Sequence, residues 1–389
     1  MEWAIPTEAL RPDMNRILTT PRNNWQQRLE ELGFGFHSLE DAYWDESAYY
    51  EFSRAETDNL EKATGELWEM YLEAVEHVIS KNLFFKFQIP EWFRKPITDS
   101  WENDAPSIYG RFDLGYDGNQ IKLLEFNADT PTSLFEGSVV QWYWLKDKFP
   151  ENDQFNSIHE KLVEYWKYLR PYLSCDFVHF ASLTNIEDVT TVEYMRDCAS
   201  QAGLETQFIS VQDIGWAEEI KEFIDENREV MQVIFKLYPY EWILAEEFGK
   251  HVAATLHKTQ WIEPAWKMLA SSKAMLPVLW ELFPNHPYLL ESYFEPRHLV
   301  SYAKKPLYSR EGANISLFRN YRPVEENSGN YGKEGYIYQQ LFDLPNFNGN
   351  FPVIGSWIVG QEPAGIGVRE SVNLITNNQS RFVPHLISQ

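Results

Sequence analysis

Between residues 107 and 127 the chain alternates apolar and polar side chains on either side of Asp117-Gly118-Asn119, the pattern of two strands joined by a tight turn. Arg111 and Asp113 stand two apart on the first strand, and Glu125 and Asn127 two apart on the second. Residues two apart share a strand face. With a turn of residues 117–119, Arg111 falls opposite Glu125, the four polar side chains gather on one face, and Phe112, Leu114, Leu124 and Phe126 line the other. Two carboxylates and an amide oxygen are the hard donors that Mg2+ takes, with phosphate and water oxygens completing its octahedron. The same four residues could equally form a solvated sheet face with one Arg–Glu pair.

The hairpin runs on into Asn127-Ala128-Asp129-Thr130-Pro131-Thr132-Ser133, a polar turn before a helix, with Thr132 or Ser133 as the expected N-cap. The backbone N–H groups of such a helix start can also receive an anion. Further on, Lys305 ends an apolar strand ahead of Ser309-Arg310-Glu311-Gly312-Ala313-Asn314, a polar loop that leads into another strand. A loop of that kind either folds over a triphosphate, with the lysine neutralising charge, or is a plain hairpin. It is not a Walker A sequence, because GxxxxGK[ST] is absent. Lys273 opens a helical stretch, where the helix dipole disfavours a cation and so hints at a use. Arg369 follows a glycine-containing strand and could clamp a carboxylate or steady a transferring phosphoryl group. The chain has no HExxH, CxxC, GxSxG or strand-linked GxGxxG, and its histidines form no ligand spacing.

These residues need a scaffold, and the hydrophobic pattern predicts one of mixed α+β type. Residues 55–82 carry Leu60, Leu67, Met70, Tyr71, Ala74, Val75 and Val78 at helical spacing. A second, aromatic-rich helix is expected from about residue 133 to 147. From about 166 to 262, strand and helix patterns alternate as in a small βαβ lobe, and beyond 300 strand and turn signals dominate. A chain of 389 residues can build two or three lobes, and no repeat or flexible linker separates them. With 34 basic against 58 acidic residues the net charge is −24, which disfavours a nucleic-acid partner. That balance suits cations such as polyamines or Mg-bound species, or simply keeps the protein in solution. No apolar run reaches 18 residues, the first 16 residues lack signal-peptide character, and Cys175 and Cys198 read as buried thiols. A cytoplasmic protein with no membrane partner is expected.

Four segments, RFDLGYDGNQIKLLEFNADTPTS, EPAWKMLASSKAMLPVLWELFPNHP, KKPLYSREGANIS and VIGSWIVGQEPAGIGVRESVNLITNNQSRFVPH, together resemble the synthetase domain of the glutathionylspermidine synthases, a branch of the ATP-grasp ligases. The resemblance runs in the family's order from about residue 33 to the end of the chain. It implies an ATP-grasp ligase fold, with a core at residues 1–165 and 270–389 and an inserted small α/β, preATP-grasp-like substrate lobe at 166–269. It also implies ATP as nucleotide and two Mg2+ ions on Asp113, Glu125 and Asn127. Lys273 and Lys305 match the lysines on the nucleotide phosphates, and Ser309, Arg310 and Gly312 belong to a loop over the triphosphate. Gln339, Gln340 and Leu341 resemble the strand that meets adenine. Arg111 resembles an arginine near the reacting carboxylate, and Arg369 the lid arginine facing the acyl-phosphate. Thr130 and Thr132 match hydroxyl residues of the peptide-substrate site. Glu187 and Asp188 match a substrate-side acidic region more loosely, where they would receive an ammonium group or stand as an exposed pair before a helix.

The implied reaction joins an acid to an amine through an acyl-phosphate, with glutathione and spermidine as the family's pair and a different acid and amine as the alternative. A non-catalytic nucleotide or polyamine binder on the same scaffold is a third reading, and the intact residue set stands against it. Bifunctional family members add an N-terminal cysteine-dependent amidase. Only roughly 35 residues precede the matching region here, so hydrolysis is not expected.

Overall fold

In the computed structural model, residues 14–38, 43–377 and 379–388 are described; most of the N-terminal stretch weighed above as a signal peptide lies outside them. The scaffold of the acidic hairpin is a five-stranded antiparallel sheet in the order Arg381–Val383, Glu362–Ser371, Phe351–Val359, Tyr109–Tyr116, Ile121–Asn127. Helix Arg54–Ser80 lies against it. Every apolar residue that the helical spacing singled out, from Leu60 to Val78, is buried. The helix starts cleanly because Ser53 and Glu56 form a reciprocal capping box.

A second five-stranded antiparallel sheet, in the order Ser292–Tyr293, Tyr336–Gln340, Tyr302–Pro306, Ser316–Arg319, Arg322–Glu326, carries Lys305 beside Gln339 and Gln340. Residues 177–262 supply a wholly parallel sheet in the order Gln260–Ile262, Val233–Leu237, Phe177–Ser182, Glu205–Ser210, with helix Ile186–Gln201 as one crossover. Its chain leaves Phe177–Ser182 first to one side and then returns on the other. The carboxyl ends of Phe177–Ser182 and Val233–Leu237 therefore flank a topological switch point, the place where open α/β sheets form a crevice. A smaller sheet pairs Asn15–Leu18 and Ala48–Phe52 with the C-terminal His385–Ile387, so the two ends of the chain are interwoven. The mixed α+β architecture expected from the pattern is the one observed. Among the described residues no helix is long and apolar enough to cross a membrane.

Three local expectations are corrected. The hairpin loop spans residues 117–120 rather than 117–119, and a β-bulge between Asp113 and Leu114 shifts the register. Asp113 thus faces Glu125, and Arg111 faces Asn127. The bulge makes Leu124 the extra residue, so Leu123 rather than Leu124 joins Phe112, Leu114 and Phe126 in the core. The helix after residue 133 receives no side-chain cap from Ser133: that residue is left-handed (φ 64°) and its hydroxyl lies 3.2 Å from the Tyr43 hydroxyl. Cys198 is buried, as expected, but Cys175 is only half-buried; both are free thiols.

Candidate active site

The bulge places four polar side chains on one face of the hairpin. Arg111 forks onto Asp113, with Nε donating to Oδ1 at 2.7 Å and Nη2 to Oδ2 at 3.2 Å. Asn127 Nδ2 donates to the same Oδ2 at 3.2 Å, which turns its own amide oxygen outward from that bond. Arg111 is buried over the Trp357 ring, and a Cβ at Gly355 would come within 2.9 Å of its side chain, so glycine there makes room for it. Burial would lower the guanidinium, but Asp113 outweighs burial and raises it.

Two lysines approach Glu125. Lys273 Nζ lies 3.1 Å from its carboxylate and donates to the Ser309 carbonyl at 3.1 Å. Lys305 Nζ donates to the Leu124 carbonyl at 2.8 Å and to Gln339 Oε1 at 2.7 Å. Burial would raise the Glu125 carboxyl, yet the two lysines overcome it and hold it at about 2. Lys305 is itself pushed down to about 8 by burial, with Glu125 opposing the shift. Two buried lysines thus flank one carboxylate, and main-chain carbonyls of Ser309 and Leu124 help to hold them there.

These residues line two adjoining cavities that share Asp113, Glu125, Gly312 and Thr376. The larger, about 340 Å³, is polar and takes in Arg111, Asn127, Thr130, Thr132, Glu187, Asp188, Lys273, Ser309, Arg310 and Arg369. The smaller, about 100 Å³, holds Lys305, Gln339, Gln340 and Leu341 among apolar residues such as Ala303, Ile315, Leu317 and Val353. Every residue that the family resemblance assigned to the site therefore lines one cavity or the other. In the loop above them, Glu311, Gly312 and Asn314 are left-handed, and a Cβ on Gly312 would meet the Thr376 carbonyl at 2.5 Å. Arg310 Nη1 reaches across to the Thr130 hydroxyl at 2.6 Å. Arg369 donates from Nη2 to the Asn377 carbonyl at 2.9 Å. Its Nε, like Ser309 Oγ, is buried with no hydrogen-bond partner among the described residues. Glu187 and Asp188 are half-buried rather than exposed, and burial raises both carboxyls.

The far wall comes from the switch-point crevice of the parallel sheet, through Leu183, Leu237, Pro239, Glu241 and Trp242. Here sequence reasoning missed three residues. Asp129 and Lys236 form a buried ion pair at 2.5 Å, and Asp129 Oδ2 also accepts the Tyr240 N–H at 2.9 Å. Ser271 Oγ accepts the N–H groups of Ala128 and Asp129. A readable signal existed for one of them: a lone lysine inside the apolar strand VIFKL must find a counter-charge if the strand is buried. Among the described residues no group of three or more His, Cys, Asp or Glu is placed to hold a metal ion. The hairpin alone is thus no complete cage, but two facing carboxylates and an amide oxygen are the partial oxygen set that a magnesium ion shared with ligand phosphates needs.

Two facing carboxylates flanked by Arg111, Lys273 and Lys305, a glycine-containing loop and the crevice of the parallel sheet thus meet at one place. The chain belongs to the glutathionylspermidine synthase preATP-grasp family, which matches residues 16–388. It is 42% identical to a Haemophilus influenzae protein provisionally named an acid–amine ligase, over 96% of this chain and 99% of that one. It is 29% identical to the bifunctional glutathionylspermidine synthetase/amidase of Escherichia coli, over 87% of this chain and 59% of that one. Identity to the trypanothione synthetase of Crithidia fasciculata is 28%, over 82% of this chain and 53% of that one. The chain thus spans little more than half the length of these last two relatives.

Proposed function

We propose that the chain is an ATP-dependent acid–amine ligase, ADP-forming, that makes an amide through an acyl-phosphate. The observation that carries this reading is the convergence of residues 111 to 369 onto two cavities joined at Asp113 and Glu125. Membership of the family and the names of its relatives support the reaction class.

On this reading residues 1–165 and 270–389 form the ligase core, and 166–269 the substrate lobe. Asp113, Glu125 and Asn127 would hold magnesium, two ions by the family resemblance, which neutralises phosphate charge and draws electrons from the γ-phosphoryl group. Lys273 turns from Glu125, and Lys305 from the Leu124 carbonyl and Gln339, to the ATP phosphates. The smaller, largely apolar cavity beside Gln340 and Leu341 suits the flat adenine base. Ser309, Arg310 and Gly312 close over the triphosphate and exclude water, which would otherwise hydrolyse the activated acid. Arg111 and Arg369 steer the substrate carboxylate, whose oxygen attacks the γ-phosphorus as ADP leaves. The amine then attacks the acyl carbon and phosphate departs. Thr130 and Thr132 contact the acid, while Glu187 and Asp188 draw in the ammonium end of the amine. No side chain acts as a covalent nucleophile, so catalysis is positioning and electrostatics.

Glutathione and spermidine are the first pair to try. A different acid and amine are the second reading, because the name of the 42% identical relative gives the acid–amine class alone. The test is ADP release with glutathione plus spermidine and then with other acids and amines, followed by mass analysis of the product. ADP release that needs both an acid and an amine, with an amide product, is expected. Saturable ATP binding with no ADP release under any mixture would overturn the catalytic reading and favour a nucleotide-binding protein.

A further inference from the structure

We propose a second binding site, apart from the ligase cavities, for an alkyl ammonium ion that carries two or more amino groups. A further cavity, about 570 Å³, shares no lining residue with the two cavities above. It lies between helices Arg54–Ser80 and Ile158–Leu169 and the turn joining strands Phe351–Val359 and Glu362–Ser371.

Its walls are aromatic and ordered. Tyr165 and Tyr168 stack at 5.5 Å, Tyr168 meets Tyr172 at 5.6 Å, and Trp101 meets Trp266 edge to face at 5.2 Å. Tyr165 packs so closely on Gly360 that a Cβ there would come within 2.5 Å of the ring. Tyr168 and Tyr172 nonetheless remain 58% and 59% exposed, a large apolar surface to leave in water. Aromatic faces of this kind attract cations, and the protein already uses two of them so: Lys267 Nζ stands 5.4 Å over Trp68 and 5.2 Å over Trp266. That lysine is balanced by Glu263 at 3.2 Å and adds no net charge to the wall.

The charges at the rim point the same way. Lys161, the cation lining the cavity, is committed to Glu362 at 2.9 Å and to the Pro363 carbonyl at 2.8 Å. Asp104 and Glu164 line the cavity too, and among the described residues neither side chain has an ion-pair or hydrogen-bond partner. Two unpaired carboxylates beside a tyrosine ladder suit a ligand with two ammonium groups on a short apolar chain. An anion would meet two like charges and a lysine already engaged. The site also has a physical link to the ligase strand. Ser107, on the cavity wall, donates to Glu263 at 2.8 Å, and Glu263 accepts the N–H groups of Ile108 and Tyr109, two to five residues before Arg111 and Asp113.

The test is calorimetric titration of the full chain with 1,5-diaminopentane at low salt, in a Glu187→Gln/Asp188→Asn background that removes amine binding at the ligase cavity. Saturable binding is expected in that background. Added Glu164→Gln or Tyr168→Ala should each weaken it about threefold or more, and n-pentylamine should bind about tenfold less tightly. Both substituted side chains are solvent-exposed, so the variants keep the fold. The absence of saturable binding in that background, or binding that neither substitution weakens, would overturn the proposal. Neither outcome bears on the ligase reading, because the cavities share no residue.

Discussion

Replacing Lys236 with methionine should destabilise the protein by about 3–5 kcal/mol, although lysine is the least apolar residue of its strand. The ammonium and the Asp129 carboxylate are only 1% and 3% exposed, so neither charge is relieved by water. They meet at 2.5 Å, the second Asp129 oxygen takes the Tyr240 N–H at 2.9 Å, and Lys236 Nζ stands 3.9 Å over the Tyr240 ring. Methionine fills the lysine's space but leaves the carboxylate with one N–H donor and no counter-ion. Asp129→Asn should cost less, about 2–3 kcal/mol, because the amide oxygen still accepts from the ammonium. The double variant removes both charges, so its loss should fall short of the sum by about 2 kcal/mol. Urea denaturation of the four proteins measures the cycle. Additivity within about 0.5 kcal/mol would refute the reasoning, since it would mean that the two charges do not sense one another. Because Asp129 directly precedes Thr130, which receives Arg310 at 2.6 Å, both single variants should also slow ADP release.

Glu125→Gln should reduce ADP release about 100-fold or more while circular dichroism stays that of the wild type, and near-normal turnover would remove Glu125 from the proposed metal set. Gly312→Ala forces a Cβ against the Thr376 carbonyl and should cut turnover without a matching loss of urea resistance, unless the loop over the cavities is not used. The Glu136 carboxyl is raised to about 7 by burial, so the folded chain binds more protons than the unfolded one between pH 4.5 and 7, and stability falls as pH rises through that window. Glu136→Gln, which keeps an acceptor for Tyr43, should stabilise the protein at pH 8 by up to about 3 kcal/mol and by nothing near pH 4.5; an equal gain at both would contradict the assignment. Burial pushes the Cys198 thiol up to about 12, so iodoacetamide at pH 8 should leave it unmodified in the native protein and alkylate it once urea unfolds the chain, as peptide mass analysis would record.

Residues whose roles follow from local periodicity were legible before any coordinates. The face of helix Arg54–Ser80, the strand pair around Asp117-Gly118 and the alternating elements between 166 and 262 depend on neighbours in sequence, and each formed where the pattern put it. The register of the hairpin was not legible. Lys305 draws on the Leu124 carbonyl and Gln339 on the Leu123 carbonyl, from partners about 180 to 216 positions away, and nothing in the segment itself announces that the chain bulges there. Ser133 looked like a helix cap because its type suits one, but Tyr43, 90 residues earlier, takes its hydroxyl. Asp129 was hidden as one acid in a polar turn, since its value lies in Lys236 on another sheet. The aromatic cavity drew no attention at all, because its tyrosines occupy ordinary helix positions and its tryptophans come from separate elements. Local pattern told which residues form elements, whereas the long-range contacts told what those elements are for.

The central claim is that the acidic hairpin, both lysines and the loop over them surround one magnesium nucleotide. A crystal structure of the chain grown with Mg2+ and a non-hydrolysable ATP analogue tests it most directly. Density for the phosphates between Glu125, Lys273 and Lys305, with the base beside Gln340 and Leu341 and metal density against Asp113, is the predicted result. Phosphates bound away from Asp113 and Glu125, or a nucleotide in another cavity, would contradict it.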